Sequence, residues 1–357
     1  MKTKPLASVL AALLALSSVA AIAAEQGSNY VEDNSPTGDP VVDASFNPYA
    51  KGLPTFPGYT PGVVIDKDNV ETYKGMLDPA MYIFIKNGWY TVQTKAAFSE
   101  LLTKSFREAT KTNYKNVKLD PKTLQLEGYV SGRPFPQEPS LDDPQAGLKL
   151  AWNFLHGLNW GDNGTDNPFY WQYRSMKTGQ IERVIHFQFN FLNYTLRFED
   201  APIPEVTPNP SDLYRGIYVK VLSPDDVRNT QLLIQRYDDD RKQDDTYLYL
   251  GFQRRVRRLP TGQTTDSFLG SDLMIQDFEG YNDRVAEMKW TYKGAKEILM
   301  PLYYHNELKL SDEFPQPDGY KFVAFGGQGG CFPEITWQLR KTYELEAVPV
   351  NNGSPVS

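Results

Sequence analysis

Four arginines crowd into five residues of "GFQRRVRRLPTGQTTDSFLGSD": Arg254, Arg255, Arg257 and Arg258. Asp266, Asp272 and Asp277 follow closely. Read as a strand, "TYLYLGFQRRVRRL" puts Leu248, Leu250, Phe252, Arg254, Val256 and Arg258 on one face. Tyr247, Tyr249, Gln253, Arg255 and Arg257 take the other. Arg254, flanked by Phe252 and Val256, is expected to point inward. A buried guanidinium keeps its charge and needs carboxylates, which its fork can hold with two parallel hydrogen bonds. One reading is a structural ion lattice between the four arginines and Asp266, Asp272 and Asp277. The other leaves some arginines to meet an anionic ligand or lipid head group. Nucleic acid is excluded by the alternation and by a net charge of −7.

Other chemistry-bearing residues do not assemble into a motif. The chain has no G-x-S-x-G elbow, H-E-x-x-H or P-loop. His156, His186 and His305 share no ligand spacing. "YDDDRKQDD" is acidic like a calcium loop, but Lys242 falls where an oxygen ligand is needed, so a solvated turn is expected. "DNGTDN" (162–167) suits a loose cation site or a turn. "FGGQGGC" lacks dinucleotide spacing and reads as a loop. Cys331 is the single cysteine and reads as a packed thiol. No catalytic residue, metal site or cofactor is expected, and the chain is read as not an enzyme.

The aromatic content is more informative. Nineteen Phe, 22 Tyr and six Trp could wall a cavity for a hydrophobic ligand, with Phe187, Phe189, Phe191, Leu250, Phe252 and Trp290 as its candidate lining. The same composition builds a filled core.

The elements that must position these residues are mostly strands. "QIERVIHFQFNFLNYTLRF" alternates, with Ile181, Ile185, Phe187, Phe189 and Phe191 on one face and Glu182, His186, Gln188 and Asn190 on the other. Further strand-like runs are "LYRGIYVKVL", "TQLLIQRY", "RVAEMKWTYKG", "KEILMPLYY" and "ITWQLRKTYELEAV". Val70, Tyr73 and Leu77 predict a short capped helix. Phe98, Leu101, Leu102 and Phe106 predict one helix, and "DDPQAGLKLAWNFLHG" another, capped by Asp143 with Pro144 in its first turn. Asn87-Gly88 predicts a hairpin turn. The expected fold class is α+β, a large curved antiparallel sheet with a few helices.

Residues 1–24 carry Lys2 and Lys4, an apolar middle and an Ala-rich exit, the pattern of a secretory signal peptide cut after Ala23 or Ala24. Its loss leaves a chain of net charge −9. The expected location is the periplasm, with no later segment able to span a membrane. Residues 25–57 read as an extended arm, and Phe46, Tyr49, Phe56 and Tyr59 in the Pro/Gly-rich stretch 25–62 are expected to lie along the body. Residues 58–347 read as one domain and 348–357 as a polar tail. An exported chain with one cysteine has no internal disulfide and relies on its core.

Seven patches occur in one order: "PGVVIDKDN", "EGYVSGRPFP", "DDPQAGLKLAWNF", "RRVRRLP", "DSFLGSDLMIQDFEGYNDR", "WTYKGAKEILMP" and "YELEAVP". Together they resemble the bacterial domain-of-unknown-function family 1329, described as outer-membrane lipoprotein-sorting-like. The resemblance implies a LolA-like half-barrel, its concave face covered by helices over an apolar cavity, with 95–109 and 144–156 as lids. It also implies a soluble carrier of a lipid, acyl chain or lipoprotein, associated with outer-membrane proteins or RND-type exporters. The alternatives are an outer-membrane-associated scaffold with a filled core and an atypical hydrolase. Family members continue with further strands beyond the last patch, so an open sheet edge is expected near the end of this chain.

Overall fold

A computed structural model describes residues 35–98, 102–157, 161–251, 253–259, 267 and 270–350. The signal segment 1–24, Leu101, Phe252, Asp266 and the tail from residue 351 lie outside the described residues.

The N-terminal arm contains a helix, α1 (Pro40–Phe46), that its Pro-rich composition hides. Asp39 accepts from the N–H groups of Val41 and Val42, and Pro40 fills the first helical position, where no N–H is missed. Val42 and Phe46 are buried against Phe106 and Tyr114. Phe56 and Tyr59 pack on the main core, and Tyr49 accepts from the Lys341 N–H.

After the two-residue β1 (Val64–Ile65), α2 (Val70–Tyr73) runs into a 3-10 turn and buries Val70, Tyr73 and Leu77, as their spacing predicts. The hairpin expected at Asn87-Gly88 is a helix end. Pro79–Lys86 form α3, capped by Asp78 with Pro79 at its start. Gly88 takes φ +71, and Trp89 N–H reaches back to Phe84 O at 2.9 Å, which closes the helix in a Schellman turn. Asn-Gly serves either turn, and the Asp-Pro start upstream decides for helix. β2 (Val92–Lys95) follows. The next helix, α4 (Lys104–Asn113), begins later than predicted because Thr103 caps it. Phe98 lies outside it, stacked on Tyr304 at 4.3 Å. A small ribbon of β3 (Lys118–Leu119) and β4 (Leu126–Glu127) precedes α5 (Ala146–Leu155). Asp143 and Pro144 form the turn before α5, three and two residues ahead of its first helical residue.

Then come β5 (Asn163–Arg174), β6 (Ile181–Asn193), β7 (Leu213–Ser223), β8 (Gln231–Tyr237), β9 (Asp245–Leu250) and β10 (Arg255–Arg258). β11 (Met288–Met300), the pair β12 (Phe325–Gly326) and β13 (Phe332–Pro333), and β14 (Thr336–Pro349) complete the chain. The fold is α+β with open, mostly antiparallel sheets. The strands divide between two main sheets, where one is predicted. β5 to β10 form a six-stranded meander, and β1-β2-β14-β11 form a four-stranded sheet in which only β2 and β14 run parallel.

α2 and α3 cover the four-stranded sheet, burying Met76 and Ile85 with Val92, Leu299, Trp337 and Leu339. α5 crosses β11 so closely that a Cβ on Gly147 would lie 2.6 Å from Trp290 O. On the meander, Ile185, Phe187, Val219, Val221 and Leu232 form a separate cluster from alternate positions of β6, β7 and β8.

Candidate functional site

The arginine run is a hairpin. Arg254 has φ +51 and sits in the turn, its N–H bonded to Leu250 O, and Arg255 pairs with Leu250. The turn breaks the alternation, so Arg254 is exposed rather than inward. Arg255, Val256, Arg257 and Arg258 are exposed as well. Arg258 pairs with Asp245, and Arg257 donates to Gln253. Asp277 accepts from the Met274 N–H, and Asp272 is exposed. The expected lattice among these residues is therefore not what the described residues hold.

An ion lattice stands elsewhere. Asp244 accepts from Arg236 at 3.1 Å and from Arg284 at 3.2 Å, with all three side chains largely buried. Arg236 also donates to Asn282 Oδ1 at 3.0 Å. Asp240 accepts from the Ala286 N–H. Arg215 holds Glu279 through two contacts of 3.1 and 3.2 Å. The acidic loop read as a solvated turn thus ties the β8–β9 hairpin to the segment entering β11. Burial opposes the charge on Arg236, but Asp244 outweighs it and holds the guanidinium above its usual range. Burial pushes Asp240 up to about 7, against the lowering effects of the Ala286 N–H, Arg236 and Arg284.

Among the described residues, the predicted ligand-lining side chains do not converge. Phe187 and Phe189 belong to the meander cluster. Phe191 lies under the Arg215 guanidinium at 4.8 Å. Leu250 precedes the hairpin turn. Trp290 sits on the other sheet, donating to Val285 O at 2.8 Å and edge-on to Tyr281. Between α4, the end of α5 and strands β6 and β7, the open volume is about 30 Å³, enough for a water but not for an acyl chain. His156 fills this region, ringed by Tyr129, Trp152 and Tyr214. Burial, assisted by the charge of Arg236, pushes it down to about 3.

Asp162, the first residue of "DNGTDN", is buried. Its carboxylate accepts the N–H groups of Phe198, Glu199 and Asp200 at 2.7–3.2 Å. Among the described residues, no group of three or more His, Cys, Asp or Glu could hold a metal ion. No described helix is long and apolar enough to cross a membrane.

A larger cleft lies on the opposite face of β5. Phe169, Trp171 and Tyr173 point into the meander cluster, so Tyr170, Gln172 and Arg174 take the other side. Residues 311–325 cross that side. Phe314 stacks on Tyr170 with centroids 4.6 Å apart, and Phe322 meets it edge-on at 5.7 Å. His186 of β6 backs Tyr170 at 4.6 Å, where burial lowers its basicity. The crossing is pinned by Ser311 N–H to Phe322 O at 2.7 Å and by the Leu310–Val323 bridge. The cleft has a volume of about 360 Å³. Phe314, Phe322, Val323 and Phe325 give it apolar walls, and Gln172, Arg174 and Glu313 supply polar groups. The loop "FGGQGGC" closes one end. Gly329 takes φ +64, and a Cβ there would fall 2.5 Å from Met176 O, so only glycine lets this loop reach the β5–β6 turn. Cys331 lines the cleft, its thiol near Arg174 O.

No sequence expectation points to this cleft. The available signal was "EFPQPDGYKFVAF", which strings Phe314, Tyr320, Phe322 and Phe325 through a turn-rich segment where aromatics are otherwise costly to expose.

A family model described as Protein of unknown function (DUF1329) matches residues 64–356. The chain belongs to this family. The DUF1329 match spans both sheets and the cleft, and it takes in nearly all the patches that carry the resemblance. Among solved structures, this DUF1329 chain is similar to a DUF1329 family protein from Desulfovibrio piger, with a TM-score of 0.33 and 20% identity over 44% of this chain and 57% of that one. It is also similar to a domain described as an outer membrane lipoprotein-sorting protein from Vibrio parahaemolyticus, with a TM-score of 0.31 and 15% identity over 60% of this chain and 96% of that one. The chain thus spans a little over half the length of the Desulfovibrio protein. No curated protein matches it.

Proposed function

We propose that this protein binds a hydrophobic small molecule or lipid chain in the cleft between β5 and residues 311–325, without covalent chemistry. One observation carries the reading: an aromatic-walled space of about 360 Å³ with a few polar groups in its lining. That composition suits a ligand site, and the volume falls in the range of roughly 300–1,000 Å³ typical of such sites. Burial is the source of affinity, at about 0.8 kcal/mol for each methylene removed from water. The signal-like N-terminus supports an exported carrier working in the periplasm and delivering its ligand to an outer-membrane or exporter protein. The region around His156 leaves only about 30 Å³, so the reading puts the ligand in the cleft instead.

The test is to purify the protein from its host, extract it for lipid mass spectrometry, and titrate it with the neutral dye N-phenylnaphthylamine. A co-purified single-chain lipid and saturable dye binding are expected. Absence of both sinks the reading. A second reading, a scaffold acting through protein contacts, is favoured by the filled region around His156. It predicts no ligand in the same experiment.

A further inference from the structure

Resting on that cleft as a hydrophobic site, we infer that its ligand is a single-chain carboxylate, whose head replaces Glu313 beside Arg174. Arg174 is held on β5 with its side chain only 16% exposed. Its Nη2 donates to the neutral Gln172 Oε1 at 3.0 Å. The carboxylate facing it, Glu313 Oε2, stands at 3.6 Å, beyond hydrogen-bonding distance. A guanidinium offers five donors in a planar fork that fits a carboxylate. Here one neutral oxygen is bonded and the anion is held off. Glu313 is half exposed, on the same crossing segment as Phe314. It can swing to solvent and leave its place to another anion.

The rest of the cleft fixes what that anion carries. Phe314, Phe322, Val323 and Phe325 line the same cleft as Arg174, so the tail is apolar. The volume is near the lower end of the small-molecule range, which suits one chain and not the several chains of a lipoprotein anchor. A guanidinium among apolar walls selects an anionic head over a neutral or cationic one.

The test is displacement of N-phenylnaphthylamine by dodecanoate, dodecanol and dodecylamine from the full chain. Dodecanoate is expected to displace the dye at a concentration about tenfold lower than dodecanol, with dodecylamine weakest. Arg174→Gln should abolish the preference for the acid, bringing dodecanoate to the same displacing concentration as dodecanol. Glu313→Gln, at an exposed side chain that threatens no fold, should strengthen dodecanoate alone by about threefold. Equal displacement by acid and alcohol, or a preference unmoved by both variants, overturns the inference while the hydrophobic site stands. Failure of every chain to displace the dye takes the hydrophobic site down as well.

Discussion

Asp244→Ala removes the one carboxylate shared by Arg236 and Arg284. Both guanidinium groups are largely buried and neither can lose its proton. Arg284 keeps Asp283 at 3.9 Å and Glu287 at 3.6 Å, but Arg236 keeps hydrogen bonds only to the neutral oxygens of Asn282, which do not offset its charge. Breaking a buried pair from one side costs about 3–5 kcal/mol. For a chain of this size that lowers Tm by about 4–7 °C. Differential scanning calorimetry at pH 7 measures it, with Arg254→Ala and Arg258→Ala as controls. Arg254 is exposed in a turn and the Arg258 head stands in solvent, so both controls should melt with the wild type within error. Asp244→Asn, which keeps an acceptor but no charge, should fall between. An Asp244→Ala protein melting within 1 °C or so of wild type, on the scale of an exposed pair, refutes the lattice. So does an Arg254→Ala protein that loses as much as Asp244→Ala.

Two further predictions concern pH and one concerns packing. Asp240 is raised in the folded state to about 7, so it contributes stability at low pH that is lost as pH rises from its unfolded value of 3.8 through 7. Asp240→Asn should therefore raise Tm by a few °C at pH 8 and change it little at pH 4, on the order of 2 kcal/mol; a loss of stability at pH 8 contradicts this. His156 is depressed to about 3, so the folded state loses stability as pH falls from 6.5 toward 3. His156→Phe should make acid denaturation less steep across that window, and an unchanged slope argues against a neutral buried ring. Gly147→Ala places a methyl against the Trp290 carbonyl and should cost about 1–3 kcal/mol in chemical denaturation; a neutral result means that α5 stands further from β11.

What the sequence disclosed depended on range. The alternation of β6 is written in consecutive residues, and Ile185, Phe187 and Phe191 are buried as it predicts. Val70, Tyr73 and Leu77 likewise mark their helix by spacing alone. Short signals that serve two structures failed. Asn-Gly fits a hairpin or a helix end, and the Asp78-Pro79 cap settles it. The arginine run looked like one strand because Gly251 and Gln253 do not announce a turn within an alternating pattern. Arg236 and Arg284 are isolated in sequence and meet only across Asp244, so no run of arginines marks their lattice. The cleft was least legible. It needs the outer face of β5 and a segment about 140 residues later, and no local pattern records that meeting.

Cys331 gives the most direct test that the cleft is the ligand site. It lines the cleft and is the chain's single cysteine, so its alkylation reports that place alone. With iodoacetamide under pseudo-first-order conditions, saturating dodecanol should slow modification of Cys331 several-fold in intact-mass measurements. Dodecanol that displaces the dye yet leaves the alkylation rate unchanged would place the ligand elsewhere on the molecule and contradict the account.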